Sequence, residues 1–174
     1  MIALTGTPGC GKSSVAEELK KRGYNVISVK EFAEMHSCAS VDGKEVVVDI
    51  EKLSKFKFDG IIEGHLSHLL KPEIAIVLRC NPILIKKRLM ERGWNYNKVM
   101  ENVEAELIDV ILVEALQNCE RVYEIDTTEL SVEEVANIVE EILRGKNENF
   151  EPGKVDWISK LEDRIEEVSR YGGV

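Results

Sequence analysis

The chain has 174 residues, of which 44% are hydrophobic and 32% are charged, and its formal net charge is −9. This length and composition predict one globular domain with a sizeable core and a heavily charged surface. The acidic balance disfavours nonspecific binding to a nucleic-acid backbone, and we expect no sequence-specific binding to nucleic acid. No apolar run approaches the ~20 residues of a membrane span, so no membrane partner is expected.

Strand and helix patterns alternate along the chain, which predicts an α/β fold with a mostly parallel sheet covered by helices. Strands are predicted at residues 1–5, 24–29, 59–64, 73–79 and 121–125. Helices are predicted at residues 14–22, 30–37, 51–57, 82–92, 97–119, 131–145 and 156–171. Between them, residues 38–44 form a predicted polar turn, residues 45–50 an extended segment and residues 146–155 a linker.

The last predicted helix has two interpretations. Its apolar residues fall roughly on one side, so it either packs back on the domain, which we prefer, or forms an appendage that binds a partner. Met1 directly begins the first predicted strand, so we expect no signal peptide. The four cysteines are scattered and form no C-x-x-C pair, which predicts neither a zinc site nor disulfides and indicates the cytoplasm.

The most informative motif follows the first strand, where residues 6–13 read G-T-P-G-C-G-K-S, the Walker A or P-loop pattern. Its glycines let the backbone wrap a nucleotide polyphosphate, and the helix that follows adds unpaired N–H groups. We expect Lys12 to reach the β- and γ-phosphates, Ser13 to bind Mg²⁺ and Ser14 to offer a second hydroxyl. Cys10 is either a nucleophile or, as we prefer, a variable position that faces away from the phosphates.

Acidic and imidazole side chains follow the third predicted strand at Glu63 and His65. In P-loop folds the neighbouring strand supplies an acid that contacts Mg²⁺ directly or through water, and Glu63 stands where that acid belongs. Its longer side chain could also serve as a base or position a water. The alternative is that Glu63 has no functional role and is simply a charged residue where the chain leaves the sheet. His65 could orient a water or the metal shell or be structural, and His68 is predicted to lie at the surface.

Two arginines, Arg88 and Arg92, lie four residues apart on one predicted helix and therefore share a face. Arginine stabilises the charge of a phosphoryl group in transfer, and the short segment 92–96 that follows suits a small lid. The alternative is a solvated basic face on an ordinary helical hairpin. After the fifth strand, residues 126–128 could contact a base or serve as a turn.

Four motifs that follow one another along the chain together match the pattern of one protein family. They are the P-loop, Glu63-Gly64-His65, residues 84–94 with Arg-Gly-Trp, and the Glu-Asn-x-Glu-Ala-Glu run at residues 101–106. Over residues 1–145 the chain resembles the adenylate kinase isoenzyme 6 family, also described as coilin-interacting nuclear ATPases, and especially its archaeal relatives. Eukaryotic members usually show Asp-x-His where this chain has Glu63-Gly64-His65, which leaves the metal-shell role of this acid open.

The resemblance implies a nucleoside monophosphate kinase fold, with a five-stranded parallel sheet in the order 2-3-1-4-5. It places the monophosphate-binding segment at about residues 29–52 and the lid at about 91–101, within a domain of residues 1–145. The predicted linker at 146–155 and C-terminal helix at 156–174 lie beyond the residues that the resemblance covers. The residues that it implies for ATP are Gly9, Cys10, Gly11, Lys12, Ser13, Ser14 and Arg92. The metal site that the P-loop pattern itself predicts consists of Ser13 and, directly or through water, Glu63.

Two functions follow as hypotheses. The first is Mg²⁺-dependent transfer of the terminal phosphate of ATP to AMP or a related monophosphate, with Lys12, Arg88, Arg92, Glu63 and His65 as catalytic candidates. The second, implied by the resemblance, is an ATPase that takes part in maturation of the small ribosomal subunit and binds ribosomal protein uS11. A further alternative is a P-loop kinase for another small metabolite, because the sequence identifies the residues that bind the acceptor least clearly. The candidates for them are Lys30 and segment 38–52.

Overall fold

The computed structural model describes residues 1–43 and 45–170. The strands are β1 (Ile2–Gly6), β2 (Val26–Ser28), β3 (Ala39–Asp42), β4 (Glu45–Val48), β5 (Ile61–Glu63), β6 (Ile74–Arg79) and β7 (Arg121–Asp126). Five of them form one parallel sheet in the order β2-β5-β1-β6-β7. Counted within that sheet, this is the predicted order 2-3-1-4-5, so the predicted fold class is confirmed.

Helices cover both faces of the sheet. They are α1 (Lys12–Lys21), α2 (Val29–Met35), α3 (Ile50–Leu53), α4 (Pro82–Glu91), α5 (Tyr96–Leu107), α6 (Val110–Asn118), α7 (Val132–Leu143), α8 (Trp157–Lys160) and α9 (Ile165–Val168). Because side chains alternate along a strand, Leu4 of β1 packs into a core with α1, α5 and α7, whereas its neighbour Ala3 packs against α6. Residues of α2 and α3 form a smaller core beside β5.

The segment predicted as a polar turn is partly extended. Residues 39–42 form β3, which pairs with β4 as an antiparallel hairpin outside the main sheet. Lys44, which the predicted turn also included, lies outside the described residues. The extended segment predicted after this turn corresponds to β4.

The single long helix predicted over residues 97–119 is wrong, because it is two helices that meet at Asp109. Asp109 adopts a left-handed conformation, with φ of 59°, which aspartate tolerates better than most residues. The guanidinium of Arg79 binds the Asp109 carboxylate and also donates from Nη2 to the carbonyl of Glu106, at 3.1 Å. A buried arginine from β6 therefore ends α5, and no local pattern in residues 97–119 encodes that partner.

The C-terminal segment also differs from the prediction of one helix over residues 156–171. It consists of α8, a 3₁₀ turn at Glu162–Arg164 and α9, and residues 171–174 lie outside the described part of the chain. Its apolar residues are buried in the main core, which agrees with the preferred interpretation that it packs on the domain: Val155, Trp157, Leu161 and Val168. Polar contacts hold it as well, since Arg170 binds Glu104 and Lys86 donates to the carbonyl of Glu167.

A buried charge cluster surrounds Arg79 at the end of β6. Its guanidinium donates to Glu106 on α5 at 2.8 Å and to Glu124 on β7 at 2.5 Å, and it also binds Asp109. The other oxygen of Glu124 accepts backbone N–H groups from the segment predicted as a linker: Gly153, Lys154 and Val155. One carboxylate therefore ties that segment to β7, and the segment packs on the sheet.

His68 was predicted at the surface, and this is wrong because its side chain is fully buried. Its ring nitrogens lie 2.9 Å from Thr5 Oγ1 on β1 and 2.9 Å from Glu114 Oε2 on α6. Burial lowers the pKa of His68 although Glu114 acts in the opposite direction. The ring is therefore a neutral bridge between the sheet and α6 at neutral pH.

The Arg79 cluster predicts a large effect for a single substitution. Glu124→Ala removes one counterion of a buried arginine and three backbone acceptor contacts, so we expect a loss of about 3 kcal/mol in the free energy of unfolding. Glu151→Ala is the control, because the Glu151–Lys154 ion pair is exposed and screened by solvent and should contribute little to stability. Urea unfolding of both variants measures the difference, and equal losses would contradict the prediction.

The buried neutral imidazole of His68 predicts a loss of stability in acid. Its pKa lies below 6.5 in the folded protein and near 6.5 in the unfolded chain, so the unfolded state binds the proton first as the pH falls. We expect the His68 contribution to stability to be complete above about pH 6.5 and to decrease below it by up to about 1.4 kcal/mol per pH unit. His68→Gln keeps both hydrogen-bonding functions without titrating, so urea unfolding should show a shallower slope; an unchanged slope would contradict this account.

Candidate functional site

The P-loop joins β1 to α1 and closes against β6. A Cβ atom at Gly6 would lie 2.3 Å from the carbonyl oxygen of Leu78, so only glycine allows this approach. Gly11 caps α1 in a left-handed conformation and provides no side-chain cap, which leaves the first N–H groups of α1 without a side-chain partner. The arrangement is a backbone cradle for an anion at the mouth of a helix.

Lys12 and Ser13 begin α1 and face this cradle. The Lys12 side chain is 7% exposed, and its Nζ donates to the carbonyl of Thr7 across the loop at 3.1 Å. Ser13 Oγ donates to Oε1 of Glu63, which ends β5, at 3.2 Å. The sheet therefore brings together the three residues that the sequence placed at the phosphates and the metal.

Glu63 retains an unused oxygen. Among the described residues, its Oε2 is the only buried side-chain oxygen or nitrogen atom without a hydrogen-bond partner. The described residues contain no group of three or more His, Cys, Asp or Glu side chains arranged to hold a metal by themselves. Ser13 and Glu63 thus fit Mg²⁺ of the kind that is shared with phosphates and water, since that ion usually has one or two protein ligands.

The Cys10 side chain is buried within the loop, with its sulfur 3.9 Å from Lys12 Nζ. Its sulfur is buried and would lie 2.8 Å from a Cβ atom at Gly6, and burial raises the pKa of its thiol. A buried neutral thiol is a poor nucleophile, so this geometry favours the interpretation of a variable position.

The two arginines occupy different places. Arg88 on α4 is partly buried and donates from Nη1 to the carbonyl of Gly9 at 2.8 Å, which braces the P-loop from the side of α4. Arg92 caps the C-terminus of α4, where its backbone N–H donates to the carbonyl of Arg88 at 3.2 Å. Its exposed side chain has no hydrogen bond or ion pair to the residues that the structure describes. Only four residues, from Arg92 to Asn95, separate α4 from α5, so the segment predicted as a lid at about 91–101 comprises the end of α4, a tight turn and the start of α5.

Three adjoining cavities meet at the P-loop. The central cavity, of about 360 Å³, is lined by Lys12, Ser13, Glu63, His65, Arg92 and Trp94. The α7 cavity, of about 270 Å³, is lined by Gly11, Arg88, Arg92, Thr127, Leu130 and Val132. The hairpin cavity, of about 540 Å³, is lined by Lys30, Val46, Val48, His65, Trp94 and Lys98. Arg92 belongs to the first two cavities, and His65 and Trp94 belong to the first and third.

His65 stands between the central and hairpin cavities. Partial desolvation of its ring and, next, the charge of Lys12 lower the pKa of His65 below its usual range. The imidazole is therefore neutral at neutral pH and can accept or donate one hydrogen bond at the junction of the cavities. A protonated His65 beside Lys12 would add repulsion between two cations.

Residues behind the P-loop were missed by sequence reasoning. Thr7 donates from Oγ1 to Glu106 Oε2 at 2.5 Å, and Thr127 Oγ1 lies 3.2 Å from the carbonyl oxygen of Cys10. A signal for Glu106 did exist, because an acid at this position interrupts the apolar stripe of α5 that includes Val99 and Val103. The sequence carries no comparable signal for its partner Thr7.

Within the part of the chain that the structure describes, no helix is long and apolar enough to cross a bilayer.

Comparison with solved structures places the fold among P-loop kinases. A shikimate kinase from Acinetobacter baumannii, solved in complex with shikimate, matches with a TM-score of 0.55 and 17% identity over 85% of this chain and 94% of that one. A deoxyadenosine kinase from M. mycoides matches with a TM-score of 0.52 and 16% identity over 83% of this chain and 98% of that one. At these identities the likeness concerns the fold alone.

Comparison of sequences gives closer relatives. The model of a family described as "AAA domain" matches residues 2–109. A protein of Archaeoglobus fulgidus described as "Putative adenylate kinase" is 58% identical over 98% of both chains, and one of Pyrococcus furiosus with the same description is 43% identical over 99% of both. The chain therefore belongs to the AAA-domain family and, within it, to the group of archaeal proteins that carry this adenylate kinase description.

Proposed function

We propose that the protein is a nucleoside monophosphate kinase, which transfers the terminal phosphate of ATP to AMP or a related monophosphate in the cytoplasm. The observation that carries this proposal is the adjoining of three cavities at the P-loop. The central cavity, which Lys12 lines, shares Arg92 with the α7 cavity and shares His65 and Trp94 with the hairpin cavity. A hydrolase needs space for one nucleotide and a water, whereas phosphoryl transfer needs a second large site in line with the first. The adenylate kinase description of its relatives supports the same function.

On the donor side, the triphosphate of ATP occupies the P-loop and its base occupies the α7 cavity. The N–H groups at the start of α1 and the Lys12 ammonium bind the phosphates, and Arg92 approaches from the edge of the lid. Arg88 already binds the carbonyl of Gly9, so we assign it to holding the loop beside the base.

Ser13 and Glu63 would hold Mg²⁺, with Glu63 acting through water at its unpaired Oε2. When bound, this ion neutralises charge on the phosphate oxygens. The role of Glu63 itself is to orient the Ser13 hydroxyl and the water at the floor of the central cavity.

On the acceptor side, the monophosphate occupies the hairpin cavity within the segment 29–52. Apolar side chains from β4 and the lid, Val46, Val48 and Trp94, form its walls, and Lys30 supplies a cation. An oxygen of the acceptor phosphate attacks the γ-phosphorus of ATP as the bond to the β–γ bridging oxygen breaks, which yields ADP and the phosphorylated acceptor. Lys12 and Arg92 stabilise the charge on the transferred group, and neutral His65 hydrogen-bonds to an oxygen or water between the two sites.

Glu63, at the floor of the central cavity, also supports a second activity, the hydrolysis of ATP. A carboxylate with an unused buried oxygen can position a water, so Glu63 would also allow ATP hydrolysis when the hairpin cavity is vacant.

Two observations support a role in maturation of the small ribosomal subunit. The chain resembles the adenylate kinase isoenzyme 6 family, and its net charge of −9 suits a basic partner such as ribosomal protein uS11. A pull-down of uS11 with and without ATP tests this role, and absence of binding in both states would remove it.

The alternative of a kinase for another small metabolite is favoured by one observation. The hairpin cavity has mainly apolar walls, and among the described residues that line it the cations are the lysines Lys30 and Lys98, with no arginine. A coupled assay of ADP formation with ATP and a panel of nucleoside monophosphates distinguishes the two functions. In protein that binds ATP, a lack of ADP formation with every monophosphate would contradict the kinase that we propose.

The first prediction for this site concerns Lys12. Lys12→Ala removes the ammonium that meets the phosphates, so we expect both transfer and hydrolysis to fall by at least about 100-fold. Lys87→Ala is the control, because Lys87 is exposed on α4 and lines none of the three cavities. Steady-state assays of both variants measure the effect. Retained turnover in Lys12→Ala would mean that the phosphates bind elsewhere.

The second prediction separates Arg92 from the fold. Arg92 is exposed and faces the central cavity, so Arg92→Ala should lower kcat about 100-fold and leave the thermal midpoint unchanged. Arg92→Lys keeps the charge without the planar fork and should restore only part of kcat. Arg144→Ala, at the exposed end of α7, serves as the control. An Arg92→Ala variant with the kcat of the wild type would exclude Arg92 from the transfer step.

A further inference from the structure

Glu106 is a fully buried carboxylate directly behind the P-loop, and it accepts four hydrogen bonds. Its Oε2 accepts from Thr7 Oγ1 at 2.5 Å. Its Oε1 accepts from Arg79 Nε at 2.8 Å, from the N–H of Cys80 at 3.2 Å and from the indole Nε1 of Trp157 at 3.0 Å. A carboxylate with this many donors has one orientation available to it.

Thr7 transmits that orientation to the nucleotide site. Its side chain binds Glu106, while its carbonyl oxygen accepts from Lys12 Nζ at 3.1 Å and from the N–H of Cys10 at 3.2 Å. The same peptide therefore sets where the phosphate-binding ammonium lies and how the loop turns. Since glycines make up much of this loop, its backbone needs such external anchors to be rigid before a ligand binds.

We propose that Glu106 is a positioning residue that holds the P-loop in its binding conformation through Thr7, and that Trp157 of the C-terminal segment holds Glu106. The inference rests on the proposed function, because it assumes that the P-loop binds ATP. It makes the C-terminal segment part of the support of the nucleotide site.

The connection of the segment to Glu106 does not depend on one contact. Glu124 accepts the N–H groups of residues 153–155, which places Trp157 over the buried end of α5. Arg79 binds Glu106 and Glu124 together, so the same guanidinium fixes both the loop support and the segment. A chain of direct contacts thus runs from residue 157 to Lys12.

The test begins with a matched pair at Thr7. Thr7→Val has nearly the shape of threonine but lacks the hydroxyl, whereas Thr7→Ser keeps the hydroxyl. Loss of a hydrogen bond to a charged partner predicts about tenfold weaker binding of Mg·ATP to Thr7→Val, and Thr7→Ser should bind within about twofold of the wild type. Isothermal titration calorimetry gives the affinities, and hydrogen exchange of residues 9–14 without nucleotide should be faster in Thr7→Val alone.

A second pair tests the C-terminal segment. Trp157→Phe removes the indole donor to Glu106, whereas Tyr123→Phe removes the hydroxyl that accepts from Asn147, a contact with no connection to the P-loop. Both variants should lower the thermal midpoint. Only Trp157→Phe should also weaken Mg·ATP binding, by roughly threefold, and speed exchange in residues 9–14.

The outcomes separate this inference from the proposed function. If the wild type binds Mg·ATP and Thr7→Val binds it equally well, or if Thr7→Ser fails to restore the affinity, the positioning role is overturned and the function stands. Equal effects of Trp157→Phe and Tyr123→Phe on affinity would overturn the role of the C-terminal segment. If the wild type itself does not bind Mg·ATP, the proposed function fails and this inference fails with it.

Discussion

The rest of the structure depends on the ion pairs that the buried guanidinium of Arg79 makes with three carboxylates. Arg79 lies at the end of a central strand, is 1% exposed, and binds carboxylates from α5, the α5–α6 corner and β7. Removing a charged group from water is costly, so an arrangement of this kind is stable only when all partners are present together. That requirement joins segments distant in sequence into one cooperative unit.

The cluster also couples the fold to its site. Glu106 and Glu124 each use one oxygen for Arg79, and each has another that binds elsewhere: Glu106 holds Thr7 of the P-loop, and Glu124 holds the backbone before α8. The P-loop thus rests on a buried network with few alternative arrangements. Preorganised donors of this kind contribute most to phosphoryl transfer, since little reorganisation is left for the moment of reaction.

The order of the sheet was implied by the family resemblance, whereas local patterns in the sequence determined the alternation of strands and helices and the P-loop cradle. These features could be predicted because each depends on residues close together in the chain, such as the glycines, lysine and serine of residues 6–13 or the proline that begins α4. The end of β5 likewise indicated Glu63, because strand ends in a parallel sheet meet at one edge. The proposed roles of Lys12, Ser13, Arg92 and Glu63 rest on the same kind of signal.

Only the tertiary structure decided where α5 ends, how the C-terminal segment folds and which polar residues are buried. Asp109 breaks the helix because Arg79 reaches it from another strand, and His68 is buried because Thr5 and Glu114 bind its two ring nitrogens. The hairpin cavity likewise has one wall from β4 and another from the α4–α5 turn and α5, and these two walls are far apart in the chain. Such pairings are long-range, and burial makes each of them depend on partners that no local pattern can identify.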